Sequence, residues 1–359
     1  MRIALAATLS VALAATTTTH GQARDTLDIY VIDVEGGEAT LFVAPSGESL
    51  LVDTGWPGFD GRDADRIVAA ARDAGVSQID HLIVTHFHTD HMGGAAQLAD
   101  RLPIVTYLDH GTTADQAEGP RAAFERYVTL RTGAVHRTVA PGDQVPIDGL
   151  DIRVIAADGD VLATPLAVAG QPNPHCDGFV FHGADILSRY GDAEDQQSVS
   201  AVVGFGEFRA VIMGDLTWNK EHPLMCPTNK VGTVDLYLVS HHGSDTSGSD
   251  ALVHALQPRV AVMNNGPTKG GSPRTFESLS RVASLGDLWQ NHYAVGVGDA
   301  NRPESFIANL QDFDGANEAD GVHRDAAYWT HVRATRDGAF TVTNSRNGFS
   351  RRYPARGGQ

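Results

Sequence analysis

The stretch HLIVTHFHTDHMGG, residues 81–94, constrains this chain more than any other. Its short apolar start reads as a buried strand. The strand runs directly into His86, His88, Asp90 and His91, four side chains able to bind a metal, packed into one short loop. Imidazole and carboxylate are common nitrogen and oxygen ligands of zinc. Strand alternation turns His86 and His88 to one side and Phe87 to the other. That pair can serve one metal, and Asp90 with His91 a second a few ångströms away. A solvated polar turn has no need of such a set behind a buried strand.

Two metals need more ligands, and the sequence offers them where other strands end. In VIMGDLTW an apolar strand stops at Gly214-Asp215, leaving a carboxylate at its tip to bridge both ions. In LYLVSHHGSD the strand stops at His241-His242. Neighbouring residues on an extended chain point apart, so His241 is expected to be the ligand. His242 then supports it or faces substrate. The residues expected to carry catalysis are Asp90, Asp215 and His242.

Around these motifs the chain alternates between two periodicities. LDIYVIDV (27–34), ATLFVAP (39–45) and SLLVDTG (49–55) read as strands with Gly-rich turns, and residues 63–76 as a helix stopped by Gly75. Residues 123–131 read as another helix, and TVAPGDQVPI and DIRVIAA as strands around a Pro-Gly turn. Segment 158–190, rich in Gly, Pro and Asp, reads as a long loop. Residues 198–215 form an expected hairpin turning at Gly204–Gly206. A strand over 235–240, a helix over 250–256, a strand RVAVMNN and a helix over 274–285 follow. Residues 331–353 read as a closing hairpin turning at Asp337-Gly338. Strands in runs, interrupted by helices in both halves, suggest an α/β chain of two mixed sheets with helices on the outer faces. Domain boundaries are expected at 1–23 (leader), 24–290 (main domain) and 291–359 (an extension packed on it).

The first residues, MRIALAATLSVALAATTTTHGQA, have a basic start, an apolar run too short to span a bilayer and a small-residue end. This is the layout of a secretory signal peptide cut after Ala23. No later stretch is long and apolar enough to span a membrane. Net charge is −17, and −18 once the leader with Arg2 is removed. So acidic a surface repels polyanions and argues against long nucleic acid as partner. In an exported chain the two cysteines, Cys176 and Cys226, favour one disulfide; neither has the CxxC spacing of a thiolate metal site. Asn264, Asn265, Lys269 and His292, with Arg274 nearby, are candidates to line the mouth of the site and contact substrate. His81, His110, His136, His182, His254, His323 and His331 show no ligand spacing.

Taken together, THFHTDH, SLLVDTG, MGD and SHHGS resemble the signature motifs of metallo-β-lactamase-fold hydrolases. The branch they are most similar to is the extracellular domain of DNA-uptake competence proteins, which share the GEAT, GDL and HHGS elements. The resemblance covers roughly residues 27–290. It implies an αββα sandwich with a dinuclear site at the sheet edges and two divalent ions, most often zinc, with manganese or iron as alternatives. It implies that His86 and His88 hold one ion, that Asp90, His91 and His241 hold the other, that Asp215 bridges, and that Asp53 orients the histidine loop. Many members carry a third histidine for the first ion before the bridging aspartate. Here that region reads EDQQSVSAV, and by spacing Asp195 falls in its place.

A bridged metal pair activates water at neutral pH, and no nucleophile elbow, phosphate-binding loop or dinucleotide fingerprint appears in a credible context. The expected reaction is hydrolysis of an ester-type bond (phosphodiester, carboxylic ester, lactone or β-lactam) in a small or promiscuous substrate. The alternative is a non-hydrolytic metal-binding or redox protein on the same fold.

Overall fold

The computed structural model describes residues 25–177, 193–310 and 326–357. The expected leader, His182 and His323 lie outside the described residues, as does the 178–190 part of the expected long loop.

The chain first lays down β1 (Thr26–Ile32), β2 (Thr40–Val43), β3 (Ser49–Val52), β4 (Ile79–Ile83), β5 (Ile104–Asp109) and β6 (Val135–Thr138). The first two pairings are antiparallel and those from β3 to β6 parallel. A second sheet follows from β7 (Gln144–Val145), β8 (Asp151–Ala157), β9 (Asp160–Val161), β10 (Ser200–Phe205), β11 (Phe208–Ile212), β12 (Leu236–Leu238), β13 (Val260–Met263), β14 (Asp287–His292) and β15 (Ile307–Asn309). Its order is β15-β14-β13-β12-β11-β10-β8-β7, with β9 paired to β8. The chain then returns to the first sheet. β16 (Trp329–Thr335) pairs with β1 along its whole length, and β17 (Phe340–Asn344) and β18 (Ser350–Tyr353) extend that edge. The closing hairpin expected over 331–353 is thus the first part of a three-stranded meander. Its turn falls at Gly338, in the left-handed region at φ 85°.

Strand alternation sorts the apolar residues into layers. Leu27, Ile29 and Val31 of β1, with Phe42, Leu50 and Val52, face Ile152, Val154, Val203, Phe208, Leu236 and Trp289 of the other sheet and form the central core. The intervening Tyr30 and Ile32 face the opposite way, onto α1 (Arg62–Asp73), α3 (Ala95–Ala99) and α4 (Glu118–Arg131), through Ile67, Leu98 and Tyr127. On the far side, α5 (Trp218–Met225), α6 (Asp250–Leu256) and α7 (Pro273–Ser280) cover the second sheet through Leu224, Leu252, Phe276 and Leu279. Two mixed sheets between two helical layers are the α+β sandwich expected. Strands buried on both faces explain why β1 and β2 read as nearly continuous apolar runs.

The helix expected over 274–285 ends at Ser280 in the structure. Its start is set by Ser272, whose hydroxyl accepts the Thr275 amide as an N-cap. Cys176 and Cys226 are joined in a disulfide that ties a short turn, Pro174–Cys176, to the end of α5. Among the described residues no helix is long and apolar enough to cross a membrane.

Candidate metal centre

The candidate ligands sit where strands of both sheets end. After β4 the chain leaves the sheet through Val84 and Thr85. His86 to His88 form the exit, and the one-turn helix α2 (Thr89–Met92) carries Asp90 and His91. After β11, Gly214 takes φ 56°, and a Cβ there would press on Thr85 at 3.0 Å and Ser198 at 3.2 Å. Glycine therefore lets Asp215 close on the histidine loop. After β12, His241, His242 and Gly243 all take positive φ, at 52°, 54° and 84°. For two histidines this conformation is costly. It coils the backbone so sharply that both rings swing to the same side.

The result is two groups of side chains that share one carboxylate. His86 Nε2 and His88 Nδ1 lie 2.9 Å apart. Asp195 Oδ1 is 3.0 Å from His88 Nδ1 and 3.4 Å from His86 Nε2. In the second group, His91 Nε2 is 3.3 Å from Asp90 Oδ2 and 3.2 Å from His242 Nε2. His242 Nε2 is in turn 3.2 Å from Asp90 Oδ2. Asp215 Oδ2 reaches both, at 3.2 Å from His91, 3.5 Å from His242 and 3.9 Å from His86. His241 Nε2 lies 3.3 Å from the same oxygen and groups with Asp195 and Asp215.

These distances fit divalent ions. Ligand bonds of about 2.0–2.1 Å in a tetrahedral site put neighbouring ligand atoms about 3.3 Å apart, and most of the separations lie near that value. Facing ring nitrogens such as His91 and His242 cannot satisfy each other's lone pairs except through a shared cation or proton.

The allotment of the paired histidines differs from the expectation. His242, not His241, stands with Asp90 and His91, and His241 stands with Asp195 and Asp215. Adjacent side chains point apart only on extended backbone; here three successive residues are left-handed. Asp195, reached only by spacing in the sequence, lies in the first group, on a 3₁₀ turn (Asp195–Gln197) just before β10.

Two buried carboxylates hold the histidine loop. Asp53, itself at φ 58°, accepts the Thr85 amide at 2.7 Å and the Thr85 hydroxyl at 2.6 Å. Its Oδ2 lies 2.7 Å from His91 Nδ1, which leaves Nε2 turned to the centre. This is the outer-shell pairing that fixes ring orientation and tautomer in metal sites. The second carboxylate, Glu194, was not singled out from the sequence. It has no exposed surface, and it accepts the Phe87 amide at 2.8 Å, His110 Nε2 at 2.9 Å, the Thr113 hydroxyl at 3.0 Å and the Ala114 amide at 2.6 Å. Nothing in its spacing marks it; only its place next to Asp195 does. Glu221 plays a similar part below His241. It accepts the Gly248 and Ser249 amides, beside Ser247, whose hydroxyl is 3.2 Å from His241 Nδ1.

The electrostatics follow from this crowding. Burial pushes Asp215 upward, but His241, His91 and His242 outweigh it and hold the carboxyl well below its ordinary range. Asp90 and Asp195 are held low in the same way by the histidines around them. His91, which burial alone would push down, is raised well above 6.5 by Asp215, Asp90 and Asp53. His242 is raised too, against the effect of burial, chiefly by Asp215. Anionic carboxylates beside proton-holding imidazoles form a site that exchanges protons for a cation.

The four residues expected at the mouth separate. Lys269 donates to Asp90 Oδ2. Asn264 and Asn265 are buried, and Asn265 donates to the Gly266 and His292 carbonyls, bracing the loop that carries Lys269. His292 is also buried and clusters with Asp33 and Glu35 rather than with the ligand groups. Among the discounted histidines, His110, His136 and His331 bond to Glu194, Asp109 and Asp28 respectively.

A family model described as the metallo-β-lactamase superfamily matches residues 33–194. Recombination protein 2 of Haemophilus influenzae is 25% identical over 266 residues, covering 73% of this chain and 27% of that protein. Ribonuclease Z of Methanopyrus kandleri is 28% identical over 144 residues, 37% of this chain and 46% of its own. Hydroxyacylglutathione hydrolase of Acidiphilium cryptum is 28% identical over 139 residues, 39% and 47%. The chain thus spans less than half the length of each of these curated relatives.

Proposed function

We propose, from the premise that this chain belongs to the metallo-β-lactamase superfamily, that it is an exported metal-dependent hydrolase of small ester-type substrates. The observation that carries the reading is the pair of side-chain groups joined at Asp215. In this reading His86, His88, Asp195 and His241 would hold one divalent ion and Asp90, His91 and His242 the other, and Asp215, within reach of both groups, would serve both. Such a pair supplies, when bound, a water acidic enough to attack at neutral pH and positive charge to meet the developing anion. The protein's own part is to hold the ligand atoms in place. Asp53 and Glu194 fix the histidine loop from two sides, and the left-handed turn at His241–Gly243 delivers one imidazole to each ion.

Zinc suits the second group, which offers two imidazoles with Asp90 and Asp215. The first group, with Asp195 and Asp215 as oxygen donors, also suits manganese or iron. Bond classes within reach are phosphodiester, carboxylic ester, lactone and β-lactam. The chain's net charge of −17 supports a small substrate over a long polyanion. Export is supported by the pattern of residues 1–23 and by the Cys176–Cys226 disulfide, a bond of oxidising compartments.

The test is a panel of chromogenic phosphodiesters, carboxylic esters, lactones and β-lactams, assayed with added zinc or manganese and after chelation. Chelator-sensitive turnover of at least one class is expected. Protein carrying two equivalents of metal and hydrolysing none of them would refute the hydrolase reading in favour of a non-hydrolytic metal protein. Iron as the resident metal would direct attention to redox chemistry.

A further inference from the structure

Among the described residues, Lys269 is the one lysine or arginine ion-paired with a carboxylate of the two ligand groups. Its ammonium rests on Asp90 Oδ2, the oxygen that also faces His91 and His242. The side chain has little freedom to leave. Its ammonium lies 4.9 Å from the centre of the Trp56 ring, a cation–π contact. Gly36 packs so closely on its stem that a Cβ at residue 36 would come within 2.9 Å of the Lys269 Cβ. Its carbonyl accepts the Gly266 amide, closing the turn on which it sits. Yet 37% of the side chain faces solvent.

We infer that Lys269 is a specificity residue that selects substrates carrying one negative charge at the reacting group, which among the accessible ester classes means a phosphodiester. The inference rests on the hydrolase reading above and names its substrate class. An oxygen committed to a divalent ion is a poor acceptor for an ammonium. A lysine held beside that oxygen then needs another anion at the same place, and the non-bridging oxygen of a phosphodiester supplies one. A charge-assisted hydrogen bond of this kind is strong. A neutral ester offers no charge in the ground state, and Lys269 would discriminate against it through its own desolvation. The reaction needs no further component. The oxygen of water bonds to phosphorus, one P–O ester bond breaks, and the departing alcohol takes up a proton.

The test compares wild type, Lys269→Met and Lys269→Arg, each loaded with metal and checked for metal stoichiometry. The first readout is binding, not turnover. Dimethylphosphinate, a monoanion with no ester bond to cleave, is titrated beside dimethyl sulfone, its neutral counterpart of similar shape. Lys269→Met is expected to weaken phosphinate binding about 30-fold, the size of a lost hydrogen bond to a charged group. Lys269→Arg, which keeps the charge, should stay within about threefold of wild type. The ratio of kcat/KM for bis(p-nitrophenyl) phosphate to that for p-nitrophenyl acetate should fall by a similar factor in Lys269→Met. Unaltered phosphinate affinity in Lys269→Met would overturn the proposal. So would loss of metal with an equal fall on both substrates, because Lys269 would then act on Asp90 alone. If the hydrolase reading itself is at fault, the signature differs: no ester is turned over by metal-loaded wild type, while phosphinate binding still depends on Lys269.

Discussion

Replacing Glu194 by Gln should cost about 3 kcal/mol of stability at pH 7, although Glu194 touches none of the reacting atoms. Among the described residues, four donors converge on its two oxygens: the Phe87 and Ala114 amides, His110 Nε2 and the Thr113 hydroxyl. Burial opposes the charge, but His110 and the backbone donor outweigh it. The carboxyl is held at about 2, against an ordinary 4.5. A gap of roughly 2.5 pH units corresponds to about 3 kcal/mol. An amide keeps one acceptor oxygen and turns an NH₂ group on two of the four donors, so most of that stabilisation is lost. The folded value is the lower one. The contribution is therefore complete above pH 4.5 and disappears as pH falls toward 2. Urea unfolding of chelator-treated wild type and Glu194→Gln, measured from pH 7 downward, should show two stabilities that converge below pH 4.5. Because the Phe87 amide lies between His86 and His88, metal affinity should also drop, by about 10- to 100-fold, as for other supporting partners of ligand residues. A difference under about 1 kcal/mol at pH 7, or one that persists undiminished at pH 3, would refute the reasoning.

Asp215→Ala is expected to lose both metals, or nearly all turnover, with the fold retained, because its carboxylate reaches both ligand groups. Asp195→Ala should be milder, and metal stoichiometry with kcat for the two variants side by side decides the order. If Asp195→Ala loses more than Asp215→Ala, the ligand assignment is wrong. Cys176 and Cys226 should resist alkylation in native protein until a reductant is added, and rapid labelling beforehand would contradict the disulfide. Mature protein recovered from a periplasmic or culture fraction should begin at Arg24 by intact mass; a chain still starting at Met1 would end the export reading.

The layers of the fold were legible because they follow from short-range periodicity. The alternation of β1 and the helical spacing of α1 each say which side is buried, whatever the rest of the chain does. The central helix boundaries moved by only a few residues, since caps such as Ser272 are local. The closing meander was only partly legible: the Asp337-Gly338 turn marks a hairpin, but nothing nearby shows that its first strand pairs with β1, the other end of the chain.

The sequence by itself determined the histidine loop and the tip position of Asp215, since a metal-capable cluster at the end of an apolar run is a local pattern. Tertiary structure alone decided how the centre is completed. His242 takes the place expected of His241 beside Asp90 and His91, and His241 joins Asp195 and Asp215, because their backbone is left-handed, a conformation that residue type does not announce. Glu194 reaches Phe87 across 107 residues, and Lys269 reaches Asp90 across 179. Such contacts have no periodicity to betray them. They exist because two separately patterned sheets pack face to face and bring strand ends together at one edge, where a buried carboxylate requires a partner and finds it in space rather than in sequence.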